Sequence, residues 1–201
     1  MNKKSSLEKT KAFVGMAIFT ALVVVLQQFA VVIRIGPFTP SLVLIPIVIG
    51  AASYGWKTGA WLGLVFGALV LAACISGTDL GGSAMWNFNP AMTAVICIVK
   101  GVAAGAAAGA VYKAVHKKSI ILATVLAAIV CPVVNTGLFT VGALAVFKPL
   151  LLTWAEGAGY ADDVIAYVFL GMIGLNFLVE MGINVVLSPV IVRVLKIRKA
   201  S

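Results

Sequence analysis

Histidine and acidic side chains are nearly missing from this chain of 201 residues: it has one histidine, His116, and six Asp and Glu residues against fifteen Lys and Arg. A single histidine in a basic stretch excludes His-pair metal sites and most general-base schemes. The three cysteines, Cys74, Cys97 and Cys131, show no C-x-x-C spacing, so zinc is unsupported; three thiols cannot all pair within one chain, and buried free thiols are expected. A phosphate loop is also missing. Gly50-Ala51-Ala52-Ser53-Tyr54-Gly55 is followed by Trp56 before Lys57-Thr58, whereas a P-loop places its Lys directly after the last Gly so that successive backbone N–H groups cradle phosphate. No catalytic residue, metal or cofactor is expected, and the chain does not read as an enzyme.

What the chain does have is apolar length. Hydrophobic residues make up 62% and charged residues 10%, with a mean hydropathy of +1.13, values that a water-soluble core of this size does not conceal. Six apolar runs, residues 12–33, 38–55, 59–76, 90–112, 119–147 and 164–195, approach or exceed the roughly 20 residues that cross the hydrocarbon. Lys3, Lys4, Lys9, Lys11, Lys57, Lys113, Lys117, Lys118, Arg193, Lys196, Arg198 and Lys199 fall in alternate gaps and at both ends. Positive residues resist translocation, so both termini are expected inside, with tails 1–11 and 196–201 in the cytoplasm. The expected fold is an all-α membrane protein, one compact domain over residues 1–201 with six transmembrane helices. The net charge of +9 then suits anionic lipid headgroups rather than nucleic acid. Residues 12–33 are too long for a signal-peptide core and read as the first span. In the second run Pro37, Pro40 and Pro46 predict irregular backbone at the outer end and helix only after Pro46. Pro132 and Pro189 are expected kink sites.

Small residues predict how the spans pack. Gly59, Gly63 and Gly67 recur at four, as do Gly101, Gly105 and Gly109; such rows flatten a helix face and let backbones approach where lipid offers no hydrophobic drive. Ala17 and Ala21 form a shorter version on the first span. Two loops, 77–89 and 148–163, mix Gly with large apolar side chains, and Met85, Trp86, Phe88 and Trp154 are candidates for a lid or for interfacial anchors.

Polar residues inside the spans are the candidate site. Asn89 and Thr93 open the fourth span, Lys100 lies deeper, Asn135 and Thr136 are in the fifth, and Asn176, Glu180 and Asn184 share one face of the sixth. A bare charge at the bilayer centre costs about 2.5 to 3.5 kcal/mol or more, so Lys100 and Glu180 are expected to pair or to meet a ligand. One reading makes Asn89, Thr93, Lys100, Asn135, Thr136, Asn176 and Glu180 a pocket for a small ligand; the other makes them structural glue, with Asn184 tying helices together.

These features together resemble the substrate-binding S components of energy-coupling factor (ECF) vitamin transporters. The marks are the six spans, Ala17-x-x-x-Ala21, the Gly55-Trp56-Lys57-Thr58-Gly59 turn, Asn89-Pro90-x-x-Thr93 and Pro132-x-x-Asn135-Thr136-Gly137; the last two patches resemble members assigned to pantothenate uptake. Trp56 stands where the family usually has Pro. The resemblance implies capture of a vitamin-like molecule from outside, delivery with a transmembrane T component and two ATP-binding subunits, docking of the T component on Ala17 and Ala21, and a site closed by residues 34–40, 77–89 and 148–163. Pantothenate, with one carboxylate, hydroxyls and an amide, suits one cation among Asn and Thr side chains; folate, riboflavin, niacin and cobalamin are the alternatives within the class. A self-sufficient secondary transporter or channel relaying ions through Lys100 and Glu180 is the rival class, and it lacks a matching pattern of inverted repeats. A structural membrane subunit without ligand is the third reading.

Overall fold

A computed structural model describes residues 3–30, 42–161 and 163–200, except for the side chains at 3–9, 30, 175, 176, 194 and 196–200. The expected loop 34–40 and the Asn176 side chain therefore lie outside the described residues. The described chain is helical without strands: α1 Lys3–Ala30, α2 Leu44–Tyr54, α3 Trp56–Ser76, α4 Leu80–Phe88, α5 Pro90–Val115, α6 Ile120–Val146, α7 Lys148–Gly157, α8 Val164–Ala166, a π-helical stretch Tyr167–Met172, α9 Gly174–Val186 and α10 Ser188–Ala200. Five segments among the described residues are long and apolar enough to cross a membrane: Thr10–Phe29, Trp56–Ser76, Pro90–Val115, Ile120–Val146 and Val164–Arg193. The second expected span appears as the shorter α2, 11 residues long.

Two details of the helices differ from expectation. Helix α2 begins at Leu44, before Pro46 rather than after it. Pro46 sits in the first turn, where the backbone N–H groups have no intrahelical acceptor, so its missing donor removes no bond. The two segments expected as loops, 77–89 and 148–163, are built largely of the short helices α4 and α7. Asp79 caps α4 by accepting a hydrogen bond from the Gly82 backbone N–H at 2.9 Å, which offsets the poor helix propensity of Gly81 and Gly82. A Cβ at Gly82 would run into the Cys74 Sγ, so a larger residue there requires the Cys74 side chain or the helix to shift.

The α3 and α5 helices form the central pair, antiparallel and close enough that a Cβ at Gly63 would collide with the Gly101 carbonyl oxygen and one at Gly59 with that of Gly105. The same ladder continues from Gly67 against the Cys97 carbonyl, 2.5 Å from a Cβ built there, to Gly109 against the Trp56 Cα at 2.6 Å. The glycine rows thus face each other inside the bundle, where dispersion contacts between backbones hold helices together in lipid. Helix α1 lies against α2 and α3 with Gly15, Val23 and Gln27 buried, while Ala17 and Ala21 are exposed. The Trp61 Nε1–H donates to the Thr20 Oγ1 at 3.2 Å and ties α1 to α3. Helix α6 runs unbroken through Pro132, while the last span is interrupted twice, by the π-helical stretch ending near Ile173 and by a turn at Leu187 just before Pro189.

Buried apolar side chains fall into two clusters. One gathers Val43, Leu44, Ile47, Val48, Leu62, Phe66, Ala104 and Ala127 with their neighbours on α1 to α3, α5, α6 and α10. The other gathers Met85, Phe147, Leu151, Tyr167, Val168 and Met172 around the ends of α5 and α6 and the short helices α4, α7 and α8. Phe88 and Phe147, with ring centroids 5.8 Å apart, bring the end of α4 to the α6–α7 corner, so α4 and α7 share one end of the bundle.

Candidate functional site

A cavity opens at the seam between the two clusters, beneath α4. Val70 and Cys74 of α3, Cys97 and Lys100 of α5, and Met85, Ile96, Met172 and Ile173 of the second cluster all line it. It offers about 90 Å³ to the centres of water-sized molecules, several times the roughly 10–15 Å³ that one water requires. Polar groups enter from five helices: Gln27 of α1, Asp79 at the start of α4, Thr93 and Lys100 of α5, Asn135 and Thr136 of α6, and Glu180 of α9.

Each of these groups reaches the cavity for a local reason. Thr93 is one turn into α5, almost fully buried, and its hydroxyl donates to the Asn89 backbone carbonyl at 2.9 Å, leaving its oxygen lone pairs available as acceptors. Lys100 lies ten residues beyond Pro90, about 15 Å along the helix. Its Nζ stands 4.7 Å from the centroid of the Phe139 ring, a cation–π distance that holds the ammonium against the α6 wall. Asn135 is 5% exposed and Gln27 6% exposed, and the carbonyl oxygens of both side chains have no hydrogen-bond partner among the described residues. Met172 and Ile173 face the cavity where the last span turns from π-helix to α-helix; such irregular turns re-aim side chains that a straight helix would point elsewhere.

Five of the seven expected pocket residues, Thr93, Lys100, Asn135, Thr136 and Glu180, meet in this one cavity. Asn89 does not line it. Its side chain accepts from the Met92 backbone N–H at 3.1 Å and caps α5, so an Asn before Pro that reads as a pocket wall is here a helix start. Of the candidate lid residues, Met85 is buried and lines the cavity, Trp86 and Trp154 pack against the first and second clusters respectively, and Phe88 stays exposed beside Phe147. Asn184 stands apart from the cavity, and its Nδ2 donates to the Glu180 backbone carbonyl one turn back, at 2.8 Å. That bond lies within one helix rather than between two.

The sequence reading missed Gln27, Asp79 and the thiols of Cys74 and Cys97 as wall residues. A signal was present for Gln27, since a buried amide inside an apolar span requires a partner. Asp79 carried an N-cap signal, three residues ahead of Gly82.

The sequence profile described as "ECF transporter, substrate-specific component" matches residues 11–192. The chain belongs to this family of substrate-specific components. A curated relative, the pantothenic acid transporter PanT of Lactococcus lactis subsp. cremoris (strain MG1363), is 38% identical over 78 residues. The match spans 37% of this chain and only 38% of that relative. The solved structure of ThiT from Listeria monocytogenes superposes with a TM-score of 0.58 at 20% identity, covering 92% of this chain and 98% of the other; at that identity the likeness speaks for the fold. As an ECF substrate-specific component, the chain is a transporter subunit, and its long apolar helices suit a multi-pass membrane protein. The polar cavity is the candidate place for its substrate.

Proposed function

We propose that this chain captures pantothenate from outside the cell and delivers it through an ECF importer together with a transmembrane T component and two ATP-binding subunits. One observation carries the reading: a single cavity at one end of the bundle joins one cation, Lys100, to the neutral hydrogen-bonding side chains of Thr93, Asn135 and Thr136. A carboxylate beside Lys100, with hydroxyl and amide groups against the neutral side chains, suits these groups, and Asp79 and Glu180 add acceptors to the same wall. The partial relative named for pantothenic acid supports the same choice.

The charge map supports the orientation. Lys57, Lys113, Lys117 and Lys118 lie at the end opposite α4 and α7, so by the positive-inside rule the cavity end faces outward and both tails stay in the cytoplasm, across six crossings formed by a single domain. Helices α4 and α7, with Met85, Trp86, Phe88 and Trp154, then act as the lid over the site. The exposed Ala17 and Ala21 of α1 form the face on which the T component docks, because small side chains there let a partner helix approach.

The test is mass spectrometry of small molecules retained by the purified chain, followed by transport into liposomes. The expected outcome is retained pantothenate, bound without ATP, and accumulation only when the T component and the ATP-binding subunits are present. Accumulation by this chain alone, driven by an ion gradient, refutes the capture-subunit reading. In the complete complex, Ala17→Trp or Ala21→Trp abolishes uptake while pantothenate affinity of the isolated chain is retained; loss of binding by the solitary protein would place that face inside the bundle instead.

A further inference from the structure

The cavity wall has two side chains whose hydrogen bonding is incomplete, on helices that approach it from different sides. Gln27 comes from α1 and Asn135 from α6; both are more than nine-tenths buried and line the cavity, and among the described residues the Oε1 of one and the Oδ1 of the other have no partner. Buried carbonyl oxygens are rarely left so, because removing them from water without replacement penalises the folded state. Asn184 supplies the contrast. Its Oδ1 is also unpartnered among the described residues, but it lies outside the cavity wall and its amide nitrogen is satisfied within its own helix.

The geometry points to Gln27 and Asn135 as a pair of acceptors that reads two hydrogen-bond donors on the substrate, with Lys100 reading its anionic group. This inference rests on the proposed capture role and narrows the substrate class to an anion that carries hydroxyl donors away from its charge. A substrate that donates to both oxygens takes the place of water for which the cavity has room, so the two bonds select among ligands by the donors they carry. An analogue of the same shape without donors leaves both oxygens buried and unpaired, and is rejected for that reason.

Gln27 also has a consequence for coupling. It occupies the buried face of α1 together with Gly15 and Val23, while Ala17 and Ala21 lie exposed on the same helix. A donor bound to Gln27 therefore fixes the position of the helix whose other face is open to a partner.

The experiment uses the full chain in detergent and two probes, pantothenate and its dideoxy analogue, in which both hydroxyls are replaced by hydrogen. Gln27→Met and Asn135→Leu are compared with the unsubstituted protein by calorimetry, and ligand-free melting temperatures are recorded for all three. The expected result is an affinity for pantothenate reduced about 5- to 100-fold in each variant, with the affinity for the dideoxy analogue changed less than about twofold on the same grounds. The ligand-free melting temperature is expected to stay level, since neither oxygen bonds another protein group among the described residues. Equal losses for both probes, or a lowered ligand-free melting temperature in both variants, overturn the inference. If the unsubstituted protein binds no pantothenate, the vitamin assignment fails, and the ligand-free melting temperatures still decide the state of the two amides.

Discussion

The two apolar clusters of this protein are built by different means. The first rests on the α3–α5 glycine ladder and on aliphatic side chains such as Val43, Leu44, Ile47, Val48 and Leu62, all fully buried. Backbone meets backbone there, and nothing at the contact can rotate out of the way. The second cluster is made of Met85, Met172, Phe147 and Tyr167 with Trp154 and Phe177 at its margin, carried on short helices and on a π-helical stretch. Methionine and aromatic side chains fill irregular space and re-pack at low cost. The difference separates a platform packed backbone to backbone from a cap built of side chains that re-pack, and the cavity lies where the two meet.

The strongest way to break this comparison is to attack the platform. Gly63→Ala places a methyl group against the Gly101 carbonyl carbon, 2.6 Å away, and the Val102 nitrogen, 3.1 Å away. Helices α3 and α5 must then separate, and stability is expected to fall by about 3 kcal/mol, the upper part of the range for overpacking. Thermal melts in detergent measure this; an unchanged melting temperature would mean that the helix pair is not the rigid element.

Next in size is a change in the wall. Asn135→Ala is expected to weaken pantothenate binding by about 1 to 3 kcal/mol, because a desolvated substrate group loses its partner, while its melting temperature falls less than that of Gly63→Ala. Binding lost in strict proportion to stability would erase the distinction between wall and platform.

Lys100→Met sharpens the role of the cation. With a carboxylate partner, the loss for pantothenate is expected to be about 1.5 to 3 kcal/mol, the worth of a charge-assisted hydrogen bond removed, and much less for its neutral amide analogue. Equal loss for acid and amide, accompanied by a lower melting temperature, would instead identify Lys100 as a structural partner within the bundle. Calorimetry with both compounds separates these outcomes.

The smallest effect belongs to the cap. A Cβ at Gly157, the last residue of α7, meets nothing within 4 Å, and Gly157→Ala is expected to change stability by less than about 1 kcal/mol, within the range of helix propensity. A loss as large as that of Gly63→Ala would show that the cap is as tightly held as the platform.

Periodicity and charge were sufficient to find the apolar segments, the mutual burial of the glycine rows and the residues Thr93, Lys100, Asn135, Thr136 and Glu180 that share the cavity. These properties depend on spacing along a helix and on the cost of leaving polar groups in hydrocarbon, both of which are written in the order of residues. Asn89 falls outside the cavity wall, and a capping Asn and a pocket Asn look alike until the Met92 N–H is seen pointing at its side chain. The stretches 77–89 and 148–163 looked like loops because Gly81, Gly82 and Pro149 disfavour helix locally, whereas the Asp79 cap and packing against the second cluster favour it.

Composition, run length and the placement of Lys and Arg alone establish a polytopic helical protein with polar groups set deliberately inside its spans. Which of those groups face one another is a different matter. Gln27 and Asn135 are separated by more than half the chain, and Cys74 and Cys97 look inert in their apolar runs, yet all four stand around one cavity. Their meeting is set by the rotation and approach of whole helices, which the glycine ladder fixes by bringing two backbones into contact, and a one-dimensional pattern carries helix faces but not the pairing between them.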